Sequence, residues 1–173
     1  LLDVPGCRSP YAARRDIIFI GGFLHQPNVD AIKYFVNEIW PIVREKLPDA
    51  KLLVIGSLPP EEVLALGGED DRIRIIGFVE DLDPYFDACR ISIAPLRFGA
   101  GIKGKIGTSA RYGVPCVATR LAVEGMGLID GVDVLVADEA ELFAEKLVQL
   151  FSDEKLWNQL SNSSLEFVQR NYS

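Results

Sequence analysis

The sequence has few of the residues that build metal and disulfide sites. One histidine and three cysteines occur among 173 residues, and no two cysteines stand at a CxxC spacing. Zinc sites are built from clusters of these side chains, so a metal site is not expected. Cys7, Cys89 and Cys116 are odd in number and far apart. This pattern predicts free thiols and a reducing compartment.

Long apolar runs and an excess of basic residues are also lacking. No stretch of 18 apolar residues occurs, so no membrane-spanning helix is predicted. The net charge of −7 argues against a protein that binds nucleic acid without sequence preference, because such proteins carry a basic surface. Hydrophobic residues make up 49% and charged residues 25% of the chain, which is typical of a globular domain.

The order of apolar and amphipathic segments predicts the fold class. Short β-branched runs predict six strands, at 16–22, 50–56, 72–79, 90–96, 114–120 and 133–137. Helical periodicity predicts helices at 27–48, 59–68, 82–89, 103–113, 139–152 and 153–172. This alternation indicates an α/β domain, with a doubly wound, mostly parallel six-stranded sheet and helices on both faces. An α/β arrangement with an antiparallel edge strand is the alternative.

Two details of this prediction concern boundaries. Residues 1–14 are rich in turn-forming residues and are expected to be a tail or an interdomain connection, with the domain at 15–173. In the helix at 27–48, Asn28 or Asp30 is expected to cap the start, and Pro41 to kink or break it.

The segment "PLRFGAGIKGKIGTSARYGVP" at 95–115 follows the fourth predicted strand and carries the main functional signal. Its basic residues include Arg97, Lys103 and Lys105, and it contains no carboxylate. Glycines let backbone N–H groups approach an anion, a helix N-terminus adds partial positive charge, and lysine and arginine bind phosphate. The pattern therefore suggests diphosphate binding. A flexible loop with solvated lysines is the alternative interpretation.

Two known phosphate-binding patterns do not fit this segment. "GAGIKG" at 99–104 has the letters of the dinucleotide fingerprint, but it follows a late strand instead of the first one. No Gly-Lys-Ser or Gly-Lys-Thr occurs, so a Walker A loop is absent.

Longer stretches show a family resemblance. The segment 95–128 resembles the donor-binding segment of group 1 glycosyltransferases of the GT-B superfamily, where a loop with Arg and Lys leads into a helix and then Gly-x-Pro-x-Val-x-Thr. Residues 17–56 and 72–96 are similar to the C-terminal domain of the same family. The resemblance covers about residues 15–172. It implies the Rossmann-like, nucleotide-sugar-binding half of a longer protein.

The activity that this resemblance implies is hexosyl transfer with retention at the anomeric carbon and without a metal. The substrate would be a nucleoside diphosphate sugar, and no cofactor would be needed. An N-terminal domain of the same protein would bind the acceptor, so the isolated domain is expected to be inactive. We expect a cytoplasmic protein, and leave open a peripheral position of the full-length protein at the inner face of the membrane.

The resemblance also implies roles for individual residues. Arg97 and Lys103, with Lys105 as the alternative lysine, match the catalytic basic pair that neutralises the donor diphosphate. The donor-binding positions are Gly22, which faces phosphate and sugar, Phe78 and Val79, which cradle the nucleobase, and Gly101 and Ile102 in the glycine-rich loop.

The sequence departs from the family pattern at two positions. Ala100 and Thr108 stand where many members carry glutamates, which leaves the ribose contact to the hydroxyl of Thr108 or of Ser109. Glu124 matches an acidic residue common in this variety of the family, and has either a site role or a helix-capping role. His25 is predicted to contact donor or acceptor, with a plain surface histidine as the alternative.

Two other functions remain open at this point. The departures at Ala100 and Thr108 favour a degenerate, non-catalytic GT-B module that acts as a scaffold or regulatory partner. A sugar-nucleotide epimerase is the other alternative, but such enzymes need more acid–base residues than this cleft offers.

Overall fold

The computed structural model of the chain describes residues 9–99 and 104–172. Six parallel strands form one sheet in the order β3-β2-β1-β4-β5-β6. The strands are β1 (Asp16–Ile20), β2 (Leu52–Ile55), β3 (Ile73–Gly77), β4 (Cys89–Ala94), β5 (Cys116–Ala118) and β6 (Leu135–Val136). The parallel doubly wound sheet is confirmed.

The central strands are buried on both faces, as their unbroken apolar runs require. In β1, Ile17 and Phe19 face a large apolar cluster with β2, the first helices and the C-terminal helices. Ile18 points to the other face and packs with Leu53 and Phe86. Successive side chains of a strand alternate between faces, so a fully apolar strand needs a helical layer on each side.

The helices of the described residues follow the strands in alternation. They are α1 (Gln26–Tyr34), α2 (Trp40–Lys46), α3 (Glu61–Leu64), α4 (Leu66–Glu69), α5 (Asp83–Ala88), α6 (Gly104–Arg111), α7 (Arg120–Val123), α8 (Ala140–Ser152) and α9 (Glu154–Tyr172). No helix in this part of the chain is long and apolar enough to cross a membrane.

The predicted helix at 27–48 is divided by a π-helical segment, Phe35–Ile39, which joins α1 to α2. Pro41 lies in the first turn of α2, where its missing N–H is tolerated. The predicted caps were wrong: His25 occupies the N-cap position of α1 and makes no side-chain capping bond. Asn28 and Asp30 instead turn their side chains to other partners, described below.

Several predicted strands were too long. The third ends at Gly77, which has a φ of +83°, so Phe78 and Val79 lie in a loop. The last two shrink to three and two residues, and α7 was not predicted. Thr119 terminates β5, because its hydroxyl accepts from the Ala122 N–H and caps α7.

The described part of the predicted N-terminal tail packs against the domain. Tyr11 donates its hydroxyl hydrogen to the Phe151 carbonyl at 2.8 Å. Arg14 is 1% exposed and donates to the carbonyls of Phe86 and Cys89, at 2.6 and 3.1 Å. Residues 9–14 therefore close the amino edge of the sheet beside β1 and β4.

Candidate functional site

The strand order places a crevice between β1 and β4. The chain leaves β1 towards β2 on one side and leaves β4 towards β5 on the other, so the two connections diverge. Ligands of doubly wound domains bind at such a point, beyond the carboxyl ends of the strands. Here the crevice is bordered by loop 21–25, loop 95–99 and the first turns of α1 and α6.

The two glycines after β1 serve different purposes. A Cβ on Gly21 would lie 2.7 Å from Asn28 Cγ, so packing requires glycine there. Gly22 is exposed, and a Cβ there would meet only Ser57 Oγ, at 3.7 Å. Among the described residues, no hydrogen bond uses the Gly22 N–H. Packing thus does not explain Gly22, and its backbone is open to a ligand.

Lys105 projects from the first turn of α6 into the crevice wall. Its side chain is 8% exposed, and Nζ donates to Asn28 Oδ1 at 2.5 Å. Nζ also lies 4.6 Å from the centre of the Phe19 ring, a cation–π contact. Burial lowers the pKa of Lys105 to about 8. The ammonium is therefore mostly protonated at neutral pH while having a single hydrogen-bond acceptor among the described residues.

Asn28 is a site residue that sequence reasoning missed. Its Nδ2 donates to the Gly22 carbonyl at 2.8 Å while Oδ1 accepts from Lys105. The side chain is 3% exposed and links the loop after β1 to α6. Its position just after Pro27 in the first helical turn resembles a capping residue, so the sequence offers no signal for this role.

Arg97 is held by the outer face of α1. Its Nε and one terminal nitrogen donate to the two carboxylate oxygens of Asp30, at 2.9 and 2.5 Å. The guanidinium lies 4.5 Å from the centre of the Tyr34 ring and 3.9 Å from a Glu38 oxygen. The hydrogen bond that Arg97 donates to the Asp30 carboxylate raises the pKa of Arg97. In this structure Arg97 already has a carboxylate partner, which sequence spacing did not indicate.

His25 lies beside the start of the glycine-rich loop. Gly99 has a φ of +91°, and a Cβ on it would lie 2.4 Å from Pro27 Cγ and 3.7 Å from His25 Nε2. Loop 95–99 thus rests on the N-terminus of α1. The predicted site residues Gly101, Ile102 and Lys103, together with Ala100, lie outside the described residues.

The hydroxyl groups predicted to bind ribose both turn to their own helix. Thr108 Oγ1 donates to the Gly104 carbonyl at 2.8 Å and remains partly exposed. Ser109 Oγ donates to the Lys105 carbonyl at 3.0 Å and is 3% exposed. Of the two hydroxyl groups, therefore, only that of Thr108 belongs to a residue that is partly exposed to solvent.

The remaining predicted residues lie elsewhere along the carboxyl edge. Phe78 is 70% exposed at the end of β3, and Val79 packs against the smaller apolar cluster. Glu124 is exposed at the C-cap of α7, after β5. Among the described residues, no group of three or more His, Cys, Asp or Glu side chains could hold a metal ion.

Comparison with known sequences gives a family match. Residues 14–153 match the family model described as glycosyl transferases group 1. A curated relative, an uncharacterized 44.6 kDa protein in the cps region of Klebsiella pneumoniae, is 26% identical over 164 residues. The match covers 91% of this chain and 42% of that protein, so the chain spans less than half of the relative's length.

Comparison with solved structures shows the same fold. The C-terminal domain of the group 1 family glycosyl transferase LpcC from Francisella tularensis has a TM-score of 0.76 at 20% identity, covering 95% of this chain and 88% of that domain. Anabaena Alr3699/HepE, solved in complex with UDP and glucose, has a TM-score of 0.68 at 16% identity. There the match covers 94% of this chain and 45% of that protein.

Proposed function

Because the chain belongs to the group 1 glycosyl transferases, we propose that its crevice binds the diphosphate of a nucleoside diphosphate sugar. The observation that carries this proposal is the pairing of Gly22 with Lys105 at the switch point. An exposed backbone N–H and a buried, incompletely paired ammonium lie on either side of Asn28. Both are donors, and a phosphate oxygen is an acceptor for both.

The chemistry of sugar transfer explains why such donors are needed. An acceptor hydroxyl forms a bond to the anomeric carbon and releases its proton to the solvent, while the bond from that carbon to the diphosphate oxygen breaks. The nucleoside diphosphate leaves with the bonding electron pair, so negative charge grows on its phosphate. Fixed donors in a dry crevice stabilise that charge without reorganising.

Membership of this family also suggests a reaction type. We propose a retaining, metal-independent hexosyl transfer, in which Lys105 or Lys103 and Arg97 supply the positive charge. HepE, whose fold is similar, was solved with UDP and glucose, which supports a nucleotide sugar as donor. The acceptor would be bound by an N-terminal domain of the same protein, so this chain alone would bind donor without transferring sugar.

A non-catalytic module of the same fold is the second candidate. It is favoured by the hydrogen bond of Thr108 to its own helix and by the ion pair of Arg97 with Asp30. In a module of this kind, internal contacts would occupy the polar groups of loop 95–99, and the crevice would not bind nucleotide.

Calorimetric titration of the chain with UDP, GDP and ADP, first in EDTA and then with magnesium, separates the two candidates. Binding of one nucleotide with micromolar to low-millimolar Kd, unchanged by magnesium, is expected. Absence of binding by all three would contradict donor binding and favour the non-catalytic module.

Gly22→Ala tests whether the ligand meets the backbone after β1. The substitution has room in the free chain, so the melting temperature should stay within about 2 °C while nucleotide affinity falls at least about fivefold, since a methyl group excludes a close phosphate. Gly68→Ala is the matched control, because no atom lies within 4 Å of its Cβ position and it is remote from the crevice. Equal affinity in both variants would exclude Gly22 from the site.

A further inference from the structure

The amide of Asn28 has one orientation that satisfies its neighbours. Nδ2 faces the Gly22 carbonyl at 2.8 Å, and Oδ1 faces the Lys105 ammonium at 2.5 Å. A carbonyl only accepts and an ammonium only donates, so rotating the amide by half a turn would break both contacts. The side chain of Asn28 therefore makes both hydrogen bonds only when the Gly22 carbonyl and the Lys105 ammonium lie in their observed positions.

The Gly22 carbonyl is engaged at the start of α1. It accepts from Asn28 Nδ2 in the first turn and from the N–H of the N-cap residue His25, at 2.8 and 3.3 Å. The N–H of the same peptide unit, on Phe23, donates to the Ser57 carbonyl at 3.0 Å. A peptide fixed at both ends cannot turn its oxygen towards a phosphate, which that oxygen would repel.

Packing leaves the Asn28 side chain little freedom. Even an added Cβ on Gly21 would lie 2.7 to 3.0 Å from the three outer atoms of the Asn28 side chain. Lys105, whose long side chain has many rotamers in water, is thus held by a rigid partner before any ligand arrives. Because the Lys105 side chain is ordered before binding, its conformational entropy is not lost when a ligand binds.

We propose that Asn28 is a positioning residue, which holds the Lys105 ammonium and the Gly22 carbonyl in the arrangement that receives the donor diphosphate. This inference rests on the proposed function. Asn28 makes its contacts to the protein and acts on the ligand through Lys105 and Gly22. Removing Asn28 after Lys105 has gone should therefore cost less affinity than removing it from the unaltered chain, because only its contact with Gly22 then remains.

A double-mutant cycle measures this coupling. Affinity for the nucleotide that binds the unaltered chain is measured for Asn28→Leu, Lys105→Met and the double variant. Asn28→Leu is expected to lose at least about tenfold and Lys105→Met at least about 30-fold, while the double variant loses no more than about threefold beyond Lys105→Met. Losses that multiply would overturn the inference. Asn37→Leu, on an exposed position of the adjoining π-helical segment, is the control and should bind as the unaltered chain.

A second measurement needs no nucleotide. The pKa of Lys105 is followed by NMR of lysine side chains in the unaltered chain, Asn28→Leu and Asn28→Asp. Loss of the amide oxygen should lower this pKa, because the ammonium loses its acceptor, whereas a carboxylate should raise it. A Lys105 pKa that is the same in all three would overturn the inference, and Asn28→Asp retains the test if Asn28→Leu does not fold.

The two measurements distinguish the possible failures. If the unaltered chain binds no nucleotide but the Lys105 pKa responds to Asn28, the proposed function is wrong and Asn28 positions Lys105 without that ligand. If nucleotide binds and Asn28→Leu binds equally well, the function stands and the positioning role is wrong.

Discussion

Two buried cations, at opposite edges of the sheet, differ in how completely their hydrogen-bond donors are paired. At the amino edge, Arg14 is 1% exposed and donates to the carbonyls of Ser9, Phe86 and Cys89. At the carboxyl edge, Lys105 is 8% exposed and has one hydrogen-bond acceptor among the described residues, Asn28 Oδ1. Burying a charge is costly unless hydrogen bonds replace its hydration. Hydrogen bonds to carbonyls offset the lost hydration of the Arg14 charge. The single bond to Asn28 offsets the lost hydration of the Lys105 charge only in part.

The number of hydrogen bonds that a buried cation makes separates a cation that stabilises the fold from one that is available to a ligand. A cation that donates to several backbone carbonyls stabilises the fold, and no ligand is needed to explain it. A cation buried with donors to spare costs stability in the free protein, and that cost is recovered when an anion binds. The comparison therefore predicts opposite effects for removing the two charges.

Removing Arg14 should have the largest effect on stability. Arg14→Leu leaves the buried carbonyls of Phe86 and Cys89 without their donor and should lower the free energy of unfolding by about 4 kcal/mol. Urea unfolding measures this loss. Arg120→Leu is the control, since the Arg120 side chain is 82% exposed, and it should change stability by less than about 0.5 kcal/mol. A loss below about 1 kcal/mol for Arg14→Leu would contradict the structural role.

Lys105 should make stability depend on pH in an unusual direction. The pKa of Lys105 is about 8 in the fold against an ordinary value of 10.5, so the unfolded chain binds more protons between these pH values. The contribution of Lys105 to the free energy of unfolding is therefore lowest below pH 8. It rises by up to about 3 kcal/mol as the pH increases to about 10.5. The measured quantity is the difference in unfolding free energy between the unaltered chain and Lys105→Met. This difference removes the contribution of buried thiols such as Cys116, whose pKa burial raises to about 12 and which therefore ionise at lower pH once the chain is unfolded. A difference that stays flat with pH would show that Lys105 is not buried as described.

Lys105→Met should separate binding from folding. Removing a buried, incompletely paired charge should leave stability at pH 7 unchanged or raised, while nucleotide affinity falls at least about 30-fold. For the unaltered chain, affinity should also fall as pH rises above 8, when the free ammonium loses its proton. Lys46→Met, exposed at the end of α2, serves as the control in the same titrations. Retained affinity in Lys105→Met would assign the cation to Lys103 or Arg97 instead.

The smallest expected effect concerns Arg97. Asp30→Asn weakens the ion pair, which is about half exposed on the arginine side, so stability should change by less than about 1 kcal/mol. If Arg97 contacts the diphosphate, its release should raise nucleotide affinity about threefold, as measured by calorimetry. Glu62→Gln, which breaks the exposed pair with Lys33, is the control. Unchanged affinity in both Asp30→Asn and Arg97→Gln would remove Arg97 from the site.

The fold was predictable because its signals are local. β-branched runs such as Ile17–Ile20 and helical periodicity fix the order of elements, and parallel connections leave few topologies. The last strands were overestimated for a physical reason. Val134 and Ala137 are buried but lie outside β6. Val134 forms an isolated bridge with Asp130, and Ala137 makes one backbone hydrogen bond to Ala118, so burial alone did not define a strand.

The site was predictable only as a collection of parts. Sequence placed Gly22 and Lys105 after two strands that turned out to be neighbours, and the parallel sheet brought them to one crevice. The partners that decide how each residue is held, Asn28 for Lys105 and Asp30 for Arg97, are separated from them by 77 and 67 positions. Sequence periodicity does not indicate contacts over such separations. The amide of Asn28 and the carboxylate of Asp30, both on α1, were therefore interpreted as capping groups.

The contacts behind Lys105 imply a chain of dependence between positions. A Cβ on Gly56 would lie 1.7 Å from the Gly21 carbonyl oxygen, a Cβ on Gly21 would meet the Asn28 amide, and that amide holds Lys105. A change at one of these four positions alters the space or the partner available to the next. Among related sequences, Gly21, Asn28, Gly56 and Lys105 should therefore vary together as one coevolving set, while Gly22 should follow the identity of the ligand.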